Sequence, residues 1–241
     1  MSKERDNRLS LGIMQPYFFP YLGYWQLMNA VDTYVLYDDV AYIKRGWINR
    51  NQIKVNGQVQ RFGISVQGAS QNKKINELEV FLPEKELARS LKTLESAYRK
   101  APCFDQVFPL VRNVLENEEK NLARFLEYEN RAVASYLGIQ TPILSSSRLE
   151  KDTSLKAQAK VLDICQRLGA TEYINAIGGK ELYSKEDFTE REIDLRFLRM
   201  DGDIIYDQGK GDFLPNLSII DVMMYNPVKV IRTYLERYTL E

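Results

Sequence analysis

The chain has 241 residues, is 44% hydrophobic and carries 33 basic and 33 acidic residues, so its formal net charge is zero. This balance excludes a global positive field that would attract nucleic acid or an anionic membrane, and any anion site must be local. The sequence contains no histidine, which excludes a Ser-His-Asp triad, a Cys-His pair and histidine-ligated zinc. Proton transfer would therefore depend on carboxylates, Lys, Tyr, Cys or the substrate itself.

The first third of the chain is predicted to form strand, loop, helix and strand, followed by a hairpin. Apolar residues at 9–14 predict a buried strand, which ends at Gln15-Pro16 because proline fixes the backbone outside regular structure. The elements predicted next are a helix over 23–30, a strand over 33–37 and a hairpin over 51–66 that turns at Asn56-Gly57.

A helix-rich segment at about 83–137 follows and is interpreted as an insertion. Strand and helix then alternate again. The predicted elements are helices at 84–100, 104–117 and 121–137, strands at 142–144, 172–175 and 192–199, a helix at 154–168, and terminal helices at 217–225 and 227–238. This order favours a single α/β domain over residues 1–241, with a Rossmann-like, nucleotidyltransferase-like sheet, a helical insertion and C-terminal helices.

Neither export nor membrane insertion is expected. The first eight residues are polar, and the apolar stretch after them is interrupted by Gln15, Pro16 and Pro20. No run reaches the roughly 18 apolar residues of a spanning helix. Because Cys103 and Cys165 lie far apart without CxxC spacing, neither a disulfide framework nor a zinc site is indicated, and Cys165 falls on an apolar helical stripe. We expect a cytoplasmic protein.

The segment from Met14 to Asn51 has the residue types of a ligand site. In open α/β sheets ligands bind beyond the carboxyl ends of strands, where Gln15 and Asp38-Asp39 are predicted to lie. The aromatic run YFFPYLGYW and the basic run KRGWINRN flank these positions. Aromatic rings stack on sugars or bases, and arginine forks bind phosphate oxygens. The candidate substrate-binding residues are Gln15, Tyr17, Tyr21, Tyr24, Arg45, Trp47, Asn49 and Arg50.

Asp38, Asp39 and Lys44 are the candidate catalytic residues. A carboxylate near Lys44 or Arg45 would stay ionised and could accept a proton from an amine or hydroxyl, or hold a divalent cation. Adjacent residues on a strand point to opposite sides, so only one aspartate can face a given pocket. Each candidate also has a structural interpretation: the aspartates as turn caps, the basic pair as a solvated face, and the aromatic run as core.

Three later stretches contain further candidates. The Ser-Ser-Ser-Arg stretch at 145–148 follows a predicted strand and could bind phosphate or form an ordinary turn. The Gly-Gly-Lys at 178–180 could hold an anion but lacks the spacing of a P-loop. Tyr206 and Gln208 are candidate substrate ligands, whereas Asp221 fits the first turn of a helix, where the helix dipole favours a negative charge.

Three blocks of sequence carry a family resemblance. They are IMQPYFFPYLGYWQLMNAVDTYVLYDDVAYIKRGWINRNQIK, then LGATEYIN with the following GG and Tyr183, and YDQGKGDFLPNLSIIDVMMYN. With these blocks, which run from near the start to near the end, the chain resembles the WbqC-like family, often associated with bacterial surface-polysaccharide gene clusters. It departs from the family at residues 175–177, where Asn-Ala-Ile stands in place of the Ser-Gly that often precedes the glycine pair.

The resemblance implies an aminoacyl transferase that attaches glycine to the amino group of a nucleotide-linked 4-amino-4,6-dideoxy sugar for O-antigen or another surface polysaccharide. The implied donor is glycyl-tRNA or an adenylate made with ATP and Mg²⁺. In this hypothesis the tyrosines enclose the sugar or base and the basic residues hold the diphosphate. Asp38 or Asp39 takes the proton from the attacking amine, and Gln15 and Asn49 orient the carbonyl.

Two other functions stay open. The predicted strand, loop and helix follow the order of a nucleotidyltransferase-like fold, with Tyr21 and Tyr24 where that fold has the histidines of its HxGH motif. A nucleotidyltransferase-like or ligase-type enzyme would activate a small acid with ATP and use residues 145–148 as its phosphate loop. A non-catalytic sugar-nucleotide-binding protein within a polysaccharide assembly system is the remaining alternative.

Overall fold

Strands and helices alternate along the chain in an order close to the one that the apolar pattern predicts. The structure, a computed structural model, describes residues 8–241. Its strands and helices are β1 (Ser10–Met14), α1 (Leu22–Ala30), β2 (Thr33–Leu36), β3 (Arg50–Val55), β4 (Gln58–Gly63), β5 (Ser65–Gln67), β6 (Glu79–Phe81), α2 (Glu84–Tyr98), α3 (Phe104–Leu115), α4 (Leu122–Leu137), β7 (Ile143–Ser145), α5 (Ala157–Arg167), β8 (Glu172–Ala176), α6 (Lys185–Thr189), β9 (Asp194–Met200), α7 (Ile219–Tyr225), α8 (Val228–Leu235) and β10 (Tyr238–Leu240). Short 3-10 helices cover Ile75–Glu77, Ser146–Arg148 and Ile177–Leu182.

Six of these strands form one sheet in the order β10-β9-β8-β1-β2-β7. The central pairs are parallel, with Met14 opposite Leu36 and Ser10 opposite Glu172, and only the edge strand β10 runs antiparallel to its neighbour. Counted along the chain within this sheet, the strands follow the order 3-2-1-4-5-6 of a Rossmann fold. The predicted Rossmann-like α/β class is therefore confirmed.

Side chains alternate between the two faces of the sheet and build two buried clusters. On β2, Tyr34 belongs to the larger cluster, which also contains residues of α1, of the inserted helices and of α7 and α8. The next residue, Val35, belongs to the second cluster, which includes Leu11 and Cys165 and packs between the sheet and α5. This alternation is the two-residue period of a strand. Cys165 is fully buried, as its position on the apolar stripe predicts.

The segment between β2 and β7 contains the three predicted helices and the predicted hairpin. The hairpin turns at Asn56 (φ +51°) and Gly57 (φ +78°), the positive torsions that the Asn-Gly dipeptide favours. A second antiparallel pair, β5 with β6, was not predicted because each strand has three residues and they lie far apart in sequence. Helices α2 to α4 contribute to the same large cluster as α1.

The end of the chain differs from the prediction. The last helix was predicted to run to residue 238, but α8 ends at Leu235 and residues 238–240 form β10. Tyr238 and Leu240 pair with β9 at an otherwise open sheet edge, and this long-range pairing overrides the helical pattern. None of the helices formed by residues 8–241 combines the length and apolar character needed to cross a bilayer.

Candidate functional site

A cavity of about 510 Å³ opens where the carboxyl ends of β1 and β8 lie side by side. This is the point at which the strand order reverses, where Rossmann-like folds bind their ligands. We call it the Gln15 pocket. It is lined by Ile13, Met14, Gln15, Tyr17, Tyr21, Tyr37, Ile43, Ala157, Gln158, Val161, Asn175, Ala176, Gly178, Gly179, Leu182 and Tyr183.

A second cavity of about 440 Å³ adjoins the first one, beside the end of β9. We call it the Trp47 pocket, lined by Tyr17, Pro20, Tyr21, Gly23, Trp47, Asn51, Ala176, Ile177, Leu198, Arg199, Met200 and Asn216. Tyr17, Tyr21 and Ala176 line both pockets, and we call the two pockets together the cleft.

The cleft is apolar and aromatic, with few charges. Among the residues that line it, Arg199 is the only charged one, and neither pocket contains an aspartate, glutamate or lysine. Three large apolar side chains at the cleft are unusually exposed: Ile43 at 49%, Trp47 at 46% and Leu182 at 69%. Exposed apolar groups that border a cavity are typical of ligand sites.

The aromatic run divides between core and cleft. Phe18, Phe19 and Trp25 are fully buried and form the floor under the loop that follows β1. Phe19 has a positive φ of +40°, which is uncommon for a residue with a side chain. The Asn51 Nδ2 donates to the carbonyls of Phe18 (3.1 Å) and Phe19 (2.8 Å), and the Ser218 hydroxyl donates to Phe19 as well (2.8 Å). These bonds fix the loop, so the floor is rigid.

Tyr24 belongs to the floor, whereas Tyr17 and Tyr21 belong to the cleft. Tyr24 is 2% exposed, burial raises its pKa, and its hydroxyl donates to the Gln15 carbonyl at 3.2 Å. It lines neither pocket, so the expectation that it encloses a ligand is not supported, and we assign it the support of the Gln15 backbone. The Tyr21 ring lies over Gly23, where an added Cβ would come within 2.5 Å of it. The ring thus covers the start of α1.

Glu129 of α4 is a buried acid beneath this floor that the sequence did not single out. Burial raises the pKa of its carboxyl well above the usual value, opposed by hydrogen bonds from the Phe19 backbone and the Asn130 side chain. Asn130 Nδ2 donates to Glu129 (2.9 Å) and to the Tyr17 carbonyl (3.3 Å). The sequence signal for this pair was two adjacent polar residues within the apolar face of a predicted helix.

The two candidate catalytic aspartates are bound by the 3-10 helix that follows β7. The Ser147 backbone N–H donates to Asp38 at 2.8 Å and its hydroxyl to the same carboxylate, while the Ser146 hydroxyl donates to Asp39 at 2.7 Å. Both carboxylates are buried, and neither lines a pocket of the cleft. The Ser145 hydroxyl in turn donates to Glu127. The serines therefore join two strand ends, which favours their structural interpretation over a phosphate loop.

Asp39 is also paired with two buried ammonium groups. Lys160 Nζ lies 2.8 Å and Lys151 Nζ 3.2 Å from the same carboxylate oxygen. Burial acts to raise the pKa of Asp39, but the hydrogen bonds from Lys160, Ser146 and Lys151 outweigh it, so the pKa is lowered. Lys160 also lies 5.0 Å from the centre of the Tyr37 ring. A carboxylate held in this way is a poor acceptor for a substrate proton.

The basic segment at 43–50 contributes apolar groups rather than its charges to the cleft. Lys44 and Arg45 are exposed, line neither pocket and form no ion pair with any carboxylate in residues 8–241. The structure does not bring them to a place where they would hold a diphosphate. Two further candidates have structural partners: Asn49 bonds the Tyr42 hydroxyl (2.7 Å) and the Ile64 carbonyl (2.7 Å), and Arg50 Nε bonds the Gly46 carbonyl (3.0 Å).

Tyr206 and Gln208 line neither pocket of the cleft and belong to a separate buried network, although Tyr206 borders a small cavity with Met200 and Asn216 of the Trp47 pocket. The hydroxyls of Tyr206 and Tyr98 donate to Asp221 at 2.8 and 2.9 Å, and Gln208 bonds both ends of its amide to the Leu214 backbone. Burial raises the pKa of Asp221. This network fixes the loop before α7.

Several residues of the cleft were not predicted from the sequence. Asn175, at the end of β8, donates to the hydroxyls of Tyr173 (2.8 Å) and Tyr183 (3.0 Å), and Gly179 packs against its side chain. Arg199 comes from β9. In the sequence, Asn175 is a polar residue at a strand end before a glycine pair, and Arg199 is a basic residue late in a strand. Each pattern is common and predicts no site by itself, and the two residues come together only in the folded chain.

The comparison with known proteins agrees with the sequence resemblance. The WbqC-like protein family matches residues 15–233, a range that includes every residue lining the cleft except Ile13 and Met14. The chain is similar to the uncharacterized protein Rv1507c of Mycobacterium tuberculosis, with 30% identity over 216 residues, 88% of this chain and 92% of that protein. No solved structure matches it. The chain therefore belongs to the WbqC-like protein family.

Proposed function

We propose that this protein is an enzyme that binds a nucleotide-linked amino sugar in the cleft and transfers an aminoacyl group, glycyl in the first instance, to its amino nitrogen. The observation that supports this most directly is the cleft itself, at the switch point of a 3-2-1-4-5-6 sheet. Its tyrosines and amides suit the hydroxyls and apolar faces of a sugar, and Arg199 suits a phosphate.

The proposed step needs an activated acyl donor more than a strong base. The amine nitrogen attacks the acyl carbon, the bond from that carbon to the donor oxygen breaks, and the donor leaves with the oxygen while the amine loses a proton to water or to the leaving group. Burial raises the pKa values of Tyr17, Tyr21 and Tyr37, so these hydroxyls stay protonated and orient the reactants as neutral groups. The amine reacts in its neutral form, because an ammonium nitrogen has no lone pair with which to attack.

The hydrogen bonds of the three serines favour an acyl donor that is activated before it binds. Because the hydroxyls of Ser145, Ser146 and Ser147 donate to carboxylates, they are not free to cradle the phosphates of ATP. Glycyl-tRNA then agrees better with the chain than an adenylate made on the protein with ATP and Mg²⁺. Both donor and sugar nucleotide are cytoplasmic compounds, so this function would place the protein in the cytoplasm.

The test is an incubation of the purified protein with dTDP-4-amino-4,6-dideoxyglucose and either glycyl-tRNA or glycine with ATP and Mg²⁺. We expect the mass of the sugar nucleotide to increase by one glycyl residue with glycyl-tRNA. A tRNA charged with glycine but without the protein is the blank, and dTDP-6-deoxyglucose, which carries a hydroxyl in place of the amine, is the matched substrate control. No mass gain with either donor would disprove the transferase.

A non-catalytic sugar-nucleotide-binding protein is the second candidate, favoured by one observation. No carboxylate lines the cleft, so none is positioned there to accept the amine's proton. The same incubation separates the two functions when the dissociation constant of the sugar nucleotide is measured alongside it. Binding without transfer identifies the binding protein, whereas binding with transfer identifies the enzyme.

A further inference from the structure

The Trp47 pocket contains the only charge of the cleft and an exposed aromatic ring. Arg199 forms an ion pair with Glu241 through Nε and Nη2, which leaves other N–H groups of its guanidinium available. Trp47 is 46% exposed, and its indole is free to stack on a planar group. A cation beside an exposed ring is the combination that recognises a base attached to phosphates.

The Gln15 pocket, in contrast, contains unpaired neutral groups. The side chains of Gln15 and Tyr37 and of the shared Tyr17 and Tyr21 form no hydrogen bond with any other residue of the described chain, although each lines the cavity. The Gln15 oxygen is buried without a partner. Because neither end of this amide is fixed, a rotation about its last torsion can present the oxygen or the nitrogen to the cavity.

The other polar side chains of the Gln15 pocket are already bonded. Gln158 accepts from the Ser184 backbone at 2.6 Å and donates to Asp187, and Asn175 bonds Tyr173 and Tyr183. The unpaired groups thus converge on the part of the pocket nearest β1 and β2. Neutral donors and acceptors around aromatic rings are suited to the hydroxyls and amine of a sugar and offer nothing to neutralise a phosphate.

We infer that the cleft is divided, with the nucleoside diphosphate in the Trp47 pocket at Arg199 and the amino-bearing sugar in the Gln15 pocket, where Gln15 and Tyr37 bond its polar groups. This division rests on the proposed function and assigns each half of its substrate. It makes Gln15 and Tyr37 specificity-determining residues for the sugar.

The test is a calorimetric comparison of two ligands, dTDP and dTDP-4-amino-4,6-dideoxyglucose, on the full chain. Loss of one hydrogen bond is expected to raise the dissociation constant about tenfold. Gln15→Met and Tyr37→Phe should therefore weaken binding of the amino sugar nucleotide about tenfold and leave binding of dTDP unchanged. Arg199→Gln and Trp47→Ala should weaken binding of both ligands about tenfold.

Matched variants control for general effects. Arg196→Gln removes another ion-paired arginine of β9, and Tyr128→Phe removes the hydroxyl of an exposed tyrosine; neither residue lines a pocket of the cleft. Neither should change either dissociation constant. Because the side chains of Gln15 and Tyr37 form no hydrogen bond within residues 8–241, their replacement removes none from the fold, and far-ultraviolet circular dichroism should be unchanged.

The outcomes distinguish the two proposals. If the wild-type chain binds neither ligand, the proposed function fails and the division fails with it. If it binds both but Gln15→Met and Tyr37→Phe weaken dTDP as strongly as the amino sugar nucleotide, or if Arg199→Gln and Trp47→Ala leave dTDP binding unchanged, the division is wrong and the proposed function stands.

Discussion

Two regions of the same sheet edge differ in how their polar groups are satisfied. At the carboxyl ends of β2 and β7, Asp38 and Asp39 are bonded by serines and lysines. At the ends of β1 and β8, the side chains of Gln15, Tyr17 and Tyr21 form no hydrogen bond with another of residues 8–241, the Gln15 oxygen is buried, and all three line a cavity. An unpaired buried polar group costs about 1–3 kcal/mol unless a ligand or water bonds it. We therefore expect ligand binding at the β1/β8 end, although Asp38 borders a smaller cavity of about 220 Å³ at the β2/β7 end.

The largest expected effect comes from removing the Asp39 carboxylate, which is hydrogen-bonded at the β2/β7 end of the sheet. Asp39→Ala leaves Lys151 and Lys160 buried and unpaired, which we expect to lower the free energy of unfolding by about 3–5 kcal/mol in urea denaturation. The control is Asp163→Ala, whose half-exposed partner Arg167 returns to water at a cost of about 0–1 kcal/mol. A stable Asp39→Ala chain that no longer binds its ligand would place Asp39 in the site instead.

The floor of the cleft should respond to pH through Glu129. Burial raises its pKa in the folded chain above the ordinary value of 4.5, so the folded state retains the proton longer than the unfolded state does. Its contribution is thus fully present below about pH 4.5 and is lost as the pH rises toward the folded pKa. Glu129→Gln replaces the protonated carboxyl with a neutral amide of the same shape, so its stability does not decrease in this way as the pH rises.

The expected difference between the two chains therefore grows with pH. Relative to the wild type, Glu129→Gln should gain unfolding free energy as the pH rises above about 4.5, by up to about 1.4 kcal/mol per pH unit. Urea denaturation at each pH measures it. The pKa of Asp39 is lowered from its ordinary value of 3.8, so its contribution to stability changes only below about pH 3.8 and does not affect this measurement. A difference that stays constant over the range would mean that Glu129 is ionised in the folded chain.

A smaller effect on ligand affinity is expected for the exposed apolar residues. Two of them are about equally exposed, and only one borders the cleft. Leu182 is 69% and Ile205 68% exposed, and only Leu182 lines a pocket. Leu182→Ala should raise the dissociation constant of the amino sugar nucleotide about fivefold through lost apolar contact, while Ile205→Ala should leave it unchanged. Titration calorimetry of the two variants decides whether exposure at the cleft reflects ligand contact, and equal affinities would show that it does not.

The sequence predicted the location of the cleft better than the roles of its residues. Strand periodicity, the proline after Gln15 and the glycine pair after β8 were local signals, and they placed both ends of the Gln15 pocket at strand ends. The division of the aromatic run was not local, since Tyr17 and Tyr24 have the same chemistry and only packing against α4 and the sheet separates them. The partners of Asp38 lie more than 100 residues away and could not be read from its neighbours.

The smallest expected effect concerns the basic pair, whose sequence position beside Trp47 suggested a diphosphate site. Lys44 and Arg45 are solvated, and the side chains that reach the cleft from their loop are Ile43 and Trp47. Solvated charges act through a screened field, so Lys44→Ala and Arg45→Ala should each weaken dTDP binding less than threefold, and added salt should remove the effect (order of magnitude about 0.5 kcal/mol). Arg199→Gln, measured in the same buffer, should remain about tenfold weaker at high salt because its contact is direct. A tenfold loss of dTDP affinity in Lys44→Ala or Arg45→Ala that persists at high salt would mean that their loop folds onto the bound phosphates. The whole segment from Ile43 to Trp47 would then belong to the binding site.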